Sequence, residues 1–133
     1  DDLASACATA SIVSCSTSSA TPIIQGKWLP PGTLVDLVGS FSPAKRESDD
    51  DVVKRSRIFV DTFEGALSEA GDIIDPMRRH VIGRAQVEGE LADLVSMRVR
   101  GRSNGEELIL FKSVGTAIED LAAARMIFAA ATA

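Results

Sequence analysis

Ile12-Val13-Ser14-Cys15-Ser16-Thr17-Ser18-Ser19 is a short β-compatible run that stops in a cluster of small hydroxyl residues. Branched side chains suit a pleated, half-buried surface, whereas consecutive serines and threonines compete with the backbone for hydrogen bonds and favour a loop. The pattern recurs outward from this run. Thr33 to Val38 is a second strand broken by Gly39, Arg57-Ile58-Phe59-Val60 a third, and Leu108 to Phe111 a fourth. Helical signals fall between them. Asp1 to Ala8 turns alanine-rich and reads as the end of a helix. Ser48 stands at an N-cap position, with Asp49, Asp50 and Asp51 filling a first turn where negative charge suits the helix dipole. Thr62 caps a helix through Ala70, with Gly71 as its stop signal. The stretch from His80 to Val95 is amphipathic, with Val87, Leu91, Leu94 and Val95 at helical spacing. Thr116 caps a long final helix and Glu119 completes a Thr-x-x-Glu capping box. Short strands alternating with helices imply parallel pairing and a layered α/β sheet.

Ligands of open α/β sheets bind outside the carboxyl ends of the strands. Three segments here fall at such ends: Cys15-Ser16-Thr17-Ser18, Val38-Gly39-Ser40 and Lys112-Ser113-Val114-Gly115. Strands also end in small residues simply so that the chain can turn, so placement alone leaves both readings open. Between the first two strands, Pro22, Gly26, Pro30, Pro31 and Gly32 punctuate a connector whose Trp28 and Leu29 anchor it to the core. Gly101-Arg102-Ser103-Asn104-Gly105 reads as a turn.

Composition excludes several functions. With 133 residues, 45% hydrophobic and 25% charged, the chain reads as one globular domain. A net charge of −5 argues against nucleic-acid binding, which needs a basic footprint. The short basic clusters at Lys54, Arg55 and Arg57 and at Arg98, Arg100 and Arg102 read as solvated surface. Cys7 and Cys15 lack metal-ligand spacing and suit a reduced, cytoplasmic protein. No apolar run approaches the ~18 residues of a membrane span, and nothing resembles a secretory signal. The first residue is Asp1 rather than Met, which implies a cut or processed start. His80, beside Arg78 and Arg79, reads as a surface residue. The acidic run at 49–51 is explained by helix-start electrostatics without a metal.

Three strings sharpen this reading. The first is Ile12 to Ser19, then Pro22-Ile23-Ile24, Trp28-Leu29 and Pro31-Gly32. The second is Val38-Gly39-Ser40-Phe41-Ser42-Pro43 followed by Arg46-Glu47. The third runs from Leu110-Phe111-Lys112-Ser113-Val114-Gly115-Thr116 to Ala124. In this order and spacing the chain resembles the ornithine cyclodeaminase/μ-crystallin family over nearly its whole length. The resemblance implies an α/β fold: a partial Rossmann-like parallel sheet, the second half of a dinucleotide-binding domain, followed by a long C-terminal helix. It implies NAD or NADP as cofactor, a small amino-acid or imino-acid substrate, and a parent enzyme that is a homodimer. By the same resemblance Cys15, Ser16 and Thr17 lie along the nicotinamide side of the cofactor. Val38 and Ser40 line the same crevice, and Lys45 and Ser113 touch the cofactor. Val114 and Gly115 border nicotinamide and substrate.

Two departures matter. The glycine-rich G-x-G-x-x-G/A fingerprint is absent, so residues 1–133 read as one incomplete NAD(P)-binding domain, without its phosphate-binding turn and without the substrate domain. The cyclodeaminase pattern carries a proton-handling Asp two residues after the motif glycine, and here that position is Phe41. A phenyl ring cannot exchange a proton. The string Val-Gly-Ser-Phe-Ser-Pro looks more like the branch that reduces cyclic imino acids, with Phe41 next to the substrate. Ornithine cyclodeaminase, a non-catalytic binding protein like μ-crystallin, and an inactive truncated product are the alternatives.

Overall fold

The computed structural model describes residues 2–132. It contains α1 (Leu3–Thr9), β1 (Ile12–Cys15), β2 (Leu34–Leu37), α2 (Asp50–Arg55), β3 (Ser56–Val60), α3 (Phe63–Glu69), α4 (Gly71–Arg78), β4 (Val87–Glu90), α5 (Leu91–Val95), β5 (Leu108–Lys112) and α6 (Ala117–Ala131). The five strands form one sheet in the order β1-β2-β5-β3-β4, and every pairing is parallel. The α/β expectation and its four strands hold. Strands β2 and β3, consecutive in sequence, are separated by β5, so the chain leaves the sheet between them and returns.

Alternate residues of each strand face the main core. Val35, Leu37, Ile58, Val60 and Leu110 are fully buried there, against Val52 and Val53 of α2, Ala66 of α3 and Ile73 of α4. Leu29 joins this cluster and Trp28 packs against it, which fixes the connector as anticipated. The opposite face is barely covered: Ile12 is 64% exposed, and a shallow groove of about 380 Å³ runs over Leu34, Asp36, Phe59, Ile109 and Phe111 to Leu91 and Leu94 of α5. Helix α6 stands away from the sheet, with Ile118, Met126, Ile127 and Phe128 each 70% or more exposed. Among the described residues no helix is long and apolar enough to cross a membrane.

Four local expectations are corrected. The stretch from His80 to Val95 is not one helix. It passes through a turn into β4 and then into the short α5. Val87-Glu88-Gly89-Glu90 alternates buried and outward positions, and Gly89 is a poor helix former that lets Val99 pack close. The edge of β3 was open to another strand, and Arg57 secures β4 there by pairing with Glu88 at 2.6 Å. Arg57 is thus a cross-strand partner rather than free surface, while His80 is exposed as anticipated. The N-cap of α2 is Asp49, whose carboxylate accepts from the Asp51 and Val52 N–H groups, and Ser48 instead donates to Asp72. Gly71 does not stop a helix but starts α4. Its missing side chain matters because a Cβ there would sit 2.0 Å from the Lys45 carbonyl oxygen.

Candidate functional site

The parallel register decides which residues meet. Cys15 pairs with Leu37, and Leu37 and Val60 both pair with Lys112. The ladder runs one residue further: the Val38 N–H donates to the Cys15 carbonyl (2.8 Å), the Ser113 N–H to that of Leu37 (3.0 Å) and the Asp61 N–H to that of Lys112 (3.2 Å). Ser16, Val38, Ser113 and Asp61 therefore form one row at the carboxyl edge of the sheet. The loops that leave this row enclose an open concavity of about 440 Å³, lined by Ser16, Thr17, Ser18, Val38, Gly39, Phe41 and Val114.

Of the residues singled out by sequence, Ser16, Thr17, Val38, Phe41 and Val114 share this concavity. Phe41 is 51% exposed, and the Lys45 ammonium lies 3.9 Å from the centre of its ring. A cation over an aromatic face is attracted by the ring quadrupole, which holds Lys45 at the rim. Gly115 adopts φ +86°, and a Cβ there would meet nothing within 4 Å, so open space lies beside it. Cys15, Ser40 and Ser113 are not among its lining residues. Cys15 is buried and lines a separate groove with Leu3, Ala6 and Cys7 of α1, and burial, reinforced by the Glu47 charge, pushes its thiol up to about 11. Ser40 is fully buried, its hydroxyl accepting from the Asp72 N–H at 3.1 Å. The Ser113 hydroxyl donates to Asp61 at 3.0 Å.

Four buried charged residues beneath the loops were not singled out as site residues. The Glu47 carboxylate accepts from the Thr17 N–H at 2.5 Å and from the Gly39 N–H at 2.7 Å. One Asp61 oxygen accepts from Ser113 Oγ and from the N–H groups of Val114 (2.8 Å) and Gly115 (2.9 Å). Asp72 accepts from the N–H groups of Glu47 and Ser48. Lys112, fully buried, donates to the carbonyls of Leu37 and Ser113. Burial pulls the Lys112 ammonium below its ordinary range, and the charges of Asp72, Glu47 and Asp61 oppose that shift. Hydrogen bonds to charged groups contribute about 1.5–3 kcal/mol each, so these residues fix the loop backbones. Glu47 and Lys112 were within reach, because both stand inside the quoted strings. Asp61 follows β3 directly, where the strand-end rule also applies. Asp72, at the start of α4, carried no sequence signal.

The surface thus combines three hydroxyl residues, two valines and a phenyl ring around space that a flat ring can enter. It suits a flat ring with a polar edge. No glycine-rich phosphate cradle accompanies it among the described residues.

Known proteins share the sequence and the fold. The model of the ornithine cyclodeaminase/mu-crystallin family matches residues 1–133. The chain is 38% identical over 120 residues to a Delta(1)-pyrroline-2-carboxylate reductase of Colwellia psychrerythraea, covering 90% of this chain and 38% of that protein. It is 35% identical over 112 residues to the ketimine reductase mu-crystallin of Rattus norvegicus, covering 84% of this chain and 33% of that protein. The structure of Thermococcus litoralis Delta(1)-pyrroline-2-carboxylate reductase in complex with NADH and L-proline superposes with a TM-score of 0.87 at 39% identity, over 90% of this chain and 37% of that one. The chain spans less than two-fifths of the length of each of these relatives.

Proposed function

The chain belongs to the ornithine cyclodeaminase/mu-crystallin family, and from that premise we propose that it is the second half of the dinucleotide-binding domain of an NAD(P)H-dependent reductase of cyclic imino acids, pyrroline or piperideine 2-carboxylate. The observation that carries this reading is Phe41, placed in the concavity where the cyclodeaminase pattern needs a proton-handling Asp. The similarity to pyrroline-2-carboxylate reductases supports the same branch.

When bound, a reduced nicotinamide would supply hydride for the imine carbon, and Ser16, Thr17, Val38, Val114 and Gly115 would hold its ring. The chain's own residues orient the partners and exclude water. Ser16 and Thr17 offer hydroxyls to the carboxamide. Val38 and Val114 wall the ring. Gly115 admits its close approach, because no side chain occupies the space beside it. Cys15, Ser40 and Ser113 adjoin this surface, Lys45 closes its rim, and Phe41 packs an apolar wall against the cyclic substrate.

The pyrophosphate turn and the substrate domain belong, in this reading, to the remainder of the parent enzyme. The bare sheet face and the exposed Ile118, Leu121, Met126, Ile127 and Phe128 of α6 support that view, since so much apolar surface is normally covered. A homodimeric parent in the cytoplasm completes it, consistent with two free, buried cysteines.

The test uses the complete open reading frame that encodes this chain. The purified protein is supplied with ornithine and NAD, and separately with a cyclic imine and NADH or NADPH. Imine reduction is the expected activity. Ammonia release from ornithine at a rate above imine reduction would reverse the assignment.

A further inference from the structure

Two of the three loops around the concavity are joined through a single side chain. Glu47 is fully buried, and each of its carboxylate oxygens takes one N–H: Thr17 from the loop after β1, at 2.5 Å, and Gly39 from the loop after β2, at 2.7 Å. The two loops are pressed together at this point, since a Cβ on Gly39 would lie 1.9 Å from the Thr17 carbonyl oxygen and 2.4 Å from the Glu47 carboxylate. The backbone of Glu47 is fixed as well. Its N–H donates to Asp72, and its carbonyl accepts from the N–H groups of Ile23 and Ile24 at 2.9 Å. Asp72 in turn donates its own N–H to the Ser40 hydroxyl, which returns the network to the second loop. A buried acceptor held at both its backbone and its carboxylate is a rigid spacer.

From this geometry we infer that Glu47 is a positioning residue for hydride transfer. It sets the separation and tilt of the Thr17 and Gly39 backbones, and through them the surface that receives the nicotinamide ring. The inference rests on the reductase reading given above. Glu47 does not touch the concavity surface, and its effect runs through the two N–H groups it accepts. A carboxylate is required because both N–H groups need an acceptor. A glutamine of the same shape would set an amide N–H₂ against one of them, donor against donor. Aspartate keeps both acceptors on a stem one methylene shorter.

The chemical consequence concerns geometry at the reacting centre. Misplacement of bound reactants by about 1 Å can cost on the order of 100-fold in rate. Glu47→Gln in the complete protein should therefore lower kcat by about 10- to 100-fold. It should leave the cofactor KM little changed, because phosphate contacts elsewhere anchor the dinucleotide. Two readouts separate positioning from mere loss of folded protein. Amide hydrogen exchange of the protein without cofactor should accelerate at Thr17 and Gly39 and remain unchanged at Leu110 in the central strand. With dinucleotide deuterated at nicotinamide C4, the isotope effect on kcat should rise, as hydride transfer becomes the slow step. Glu47→Asp should fall between the two proteins on both measures.

Unaltered exchange at Thr17 and Gly39 in the glutamine variant would overturn the inference. So would a fall in kcat with an unmoved isotope effect, since a reduced folded fraction produces that result. Neither outcome touches the reductase reading, which the unsubstituted protein tests by itself. Failure of that protein to reduce any cyclic imine overturns both.

Discussion

Replacement of Gly39 by alanine tests the close approach on which the site geometry depends. The added Cβ would stand 1.9 Å from the Thr17 carbonyl oxygen, 2.3 Å from its nitrogen and 2.4 Å from the Glu47 carboxylate. Two of these neighbours are backbone atoms, and the third belongs to a fully buried side chain. None can rotate away. To restore an ordinary contact of 3.4 Å, the loop after β1 must retreat from Gly39 by about 1.5 Å. Glu47 bridges the two loops at 2.5 and 2.7 Å, so such a retreat carries at least one of its hydrogen bonds beyond bonding distance. Loss of one charge-assisted bond in a buried setting costs about 1.5–3 kcal/mol, and displaced packing adds to it. We expect a destabilisation of roughly 2–4 kcal/mol, a large share of the ~7–20 kcal/mol total typical of this length. For a domain of this size that corresponds to a fall in Tm of about 6–15 °C. Urea and thermal unfolding followed by circular dichroism measure both quantities. A variant that melts within about 2 °C of the parent would show that the loops are not pressed together in solution.

Three further outcomes are expected. In acid, Glu107 is held down at about 2 by hydrogen bonds from Ser103 and by Arg57, and Asp50 and Asp75 are held below the usual carboxylate range by hydrogen bonds from Arg79 and by Arg46. The unfolded chain takes up these protons at higher pH than the folded one, so the stability they confer is complete above about pH 4.5 and is lost as pH falls towards 2. Urea midpoints measured from pH 7 to pH 2.5 should decline through that window, and a flat profile would refute the assignment. The Cys15 thiol, pushed up to about 11 and buried, should resist alkylation at pH 7.5 until denaturant is added, as read by intact mass. Residues 1–133 alone should bind NADH and NADPH weakly or not at all, because no phosphate cradle lies among the described residues. Micromolar binding in calorimetric titration, by a monodisperse chain, would show that this segment holds a complete cofactor site.

Much of the fold was legible because its signals are local. Branched runs ending in small residues marked β1, β2, β3 and β5. Thr62 announced α3 and does cap it, its hydroxyl accepting from the Gly65 N–H. Thr116 and Glu119 marked the start of α6, where the Glu119 carboxylate accepts from the Thr116 N–H. Strand β4 was hidden for the opposite reason. The spacing of Val87 and Leu91 fits one helical face, and only the free edge of β3, with Arg57 waiting for Glu88, selects the extended form. Ser48 and Asp49 are both good capping residues, and the choice between them was made by Asp72, which engages Ser48 from a distant helix.

The sequence by itself determined the α/β class, the family and the strand-end segments that line the concavity, because each is written in residues that are neighbours along the chain. It also carries Phe41 two residues after Gly39, in the loop that follows β2. Only the tertiary structure decided that β5 inserts between β2 and β3, which brings the three loops into one row. It alone assigned Glu47 to Thr17, 30 residues away, and Asp61 to Val114, 53 residues away. A buried carboxylate must find its donors wherever the packed sheet presents them, and nothing in local periodicity says which loops those will be.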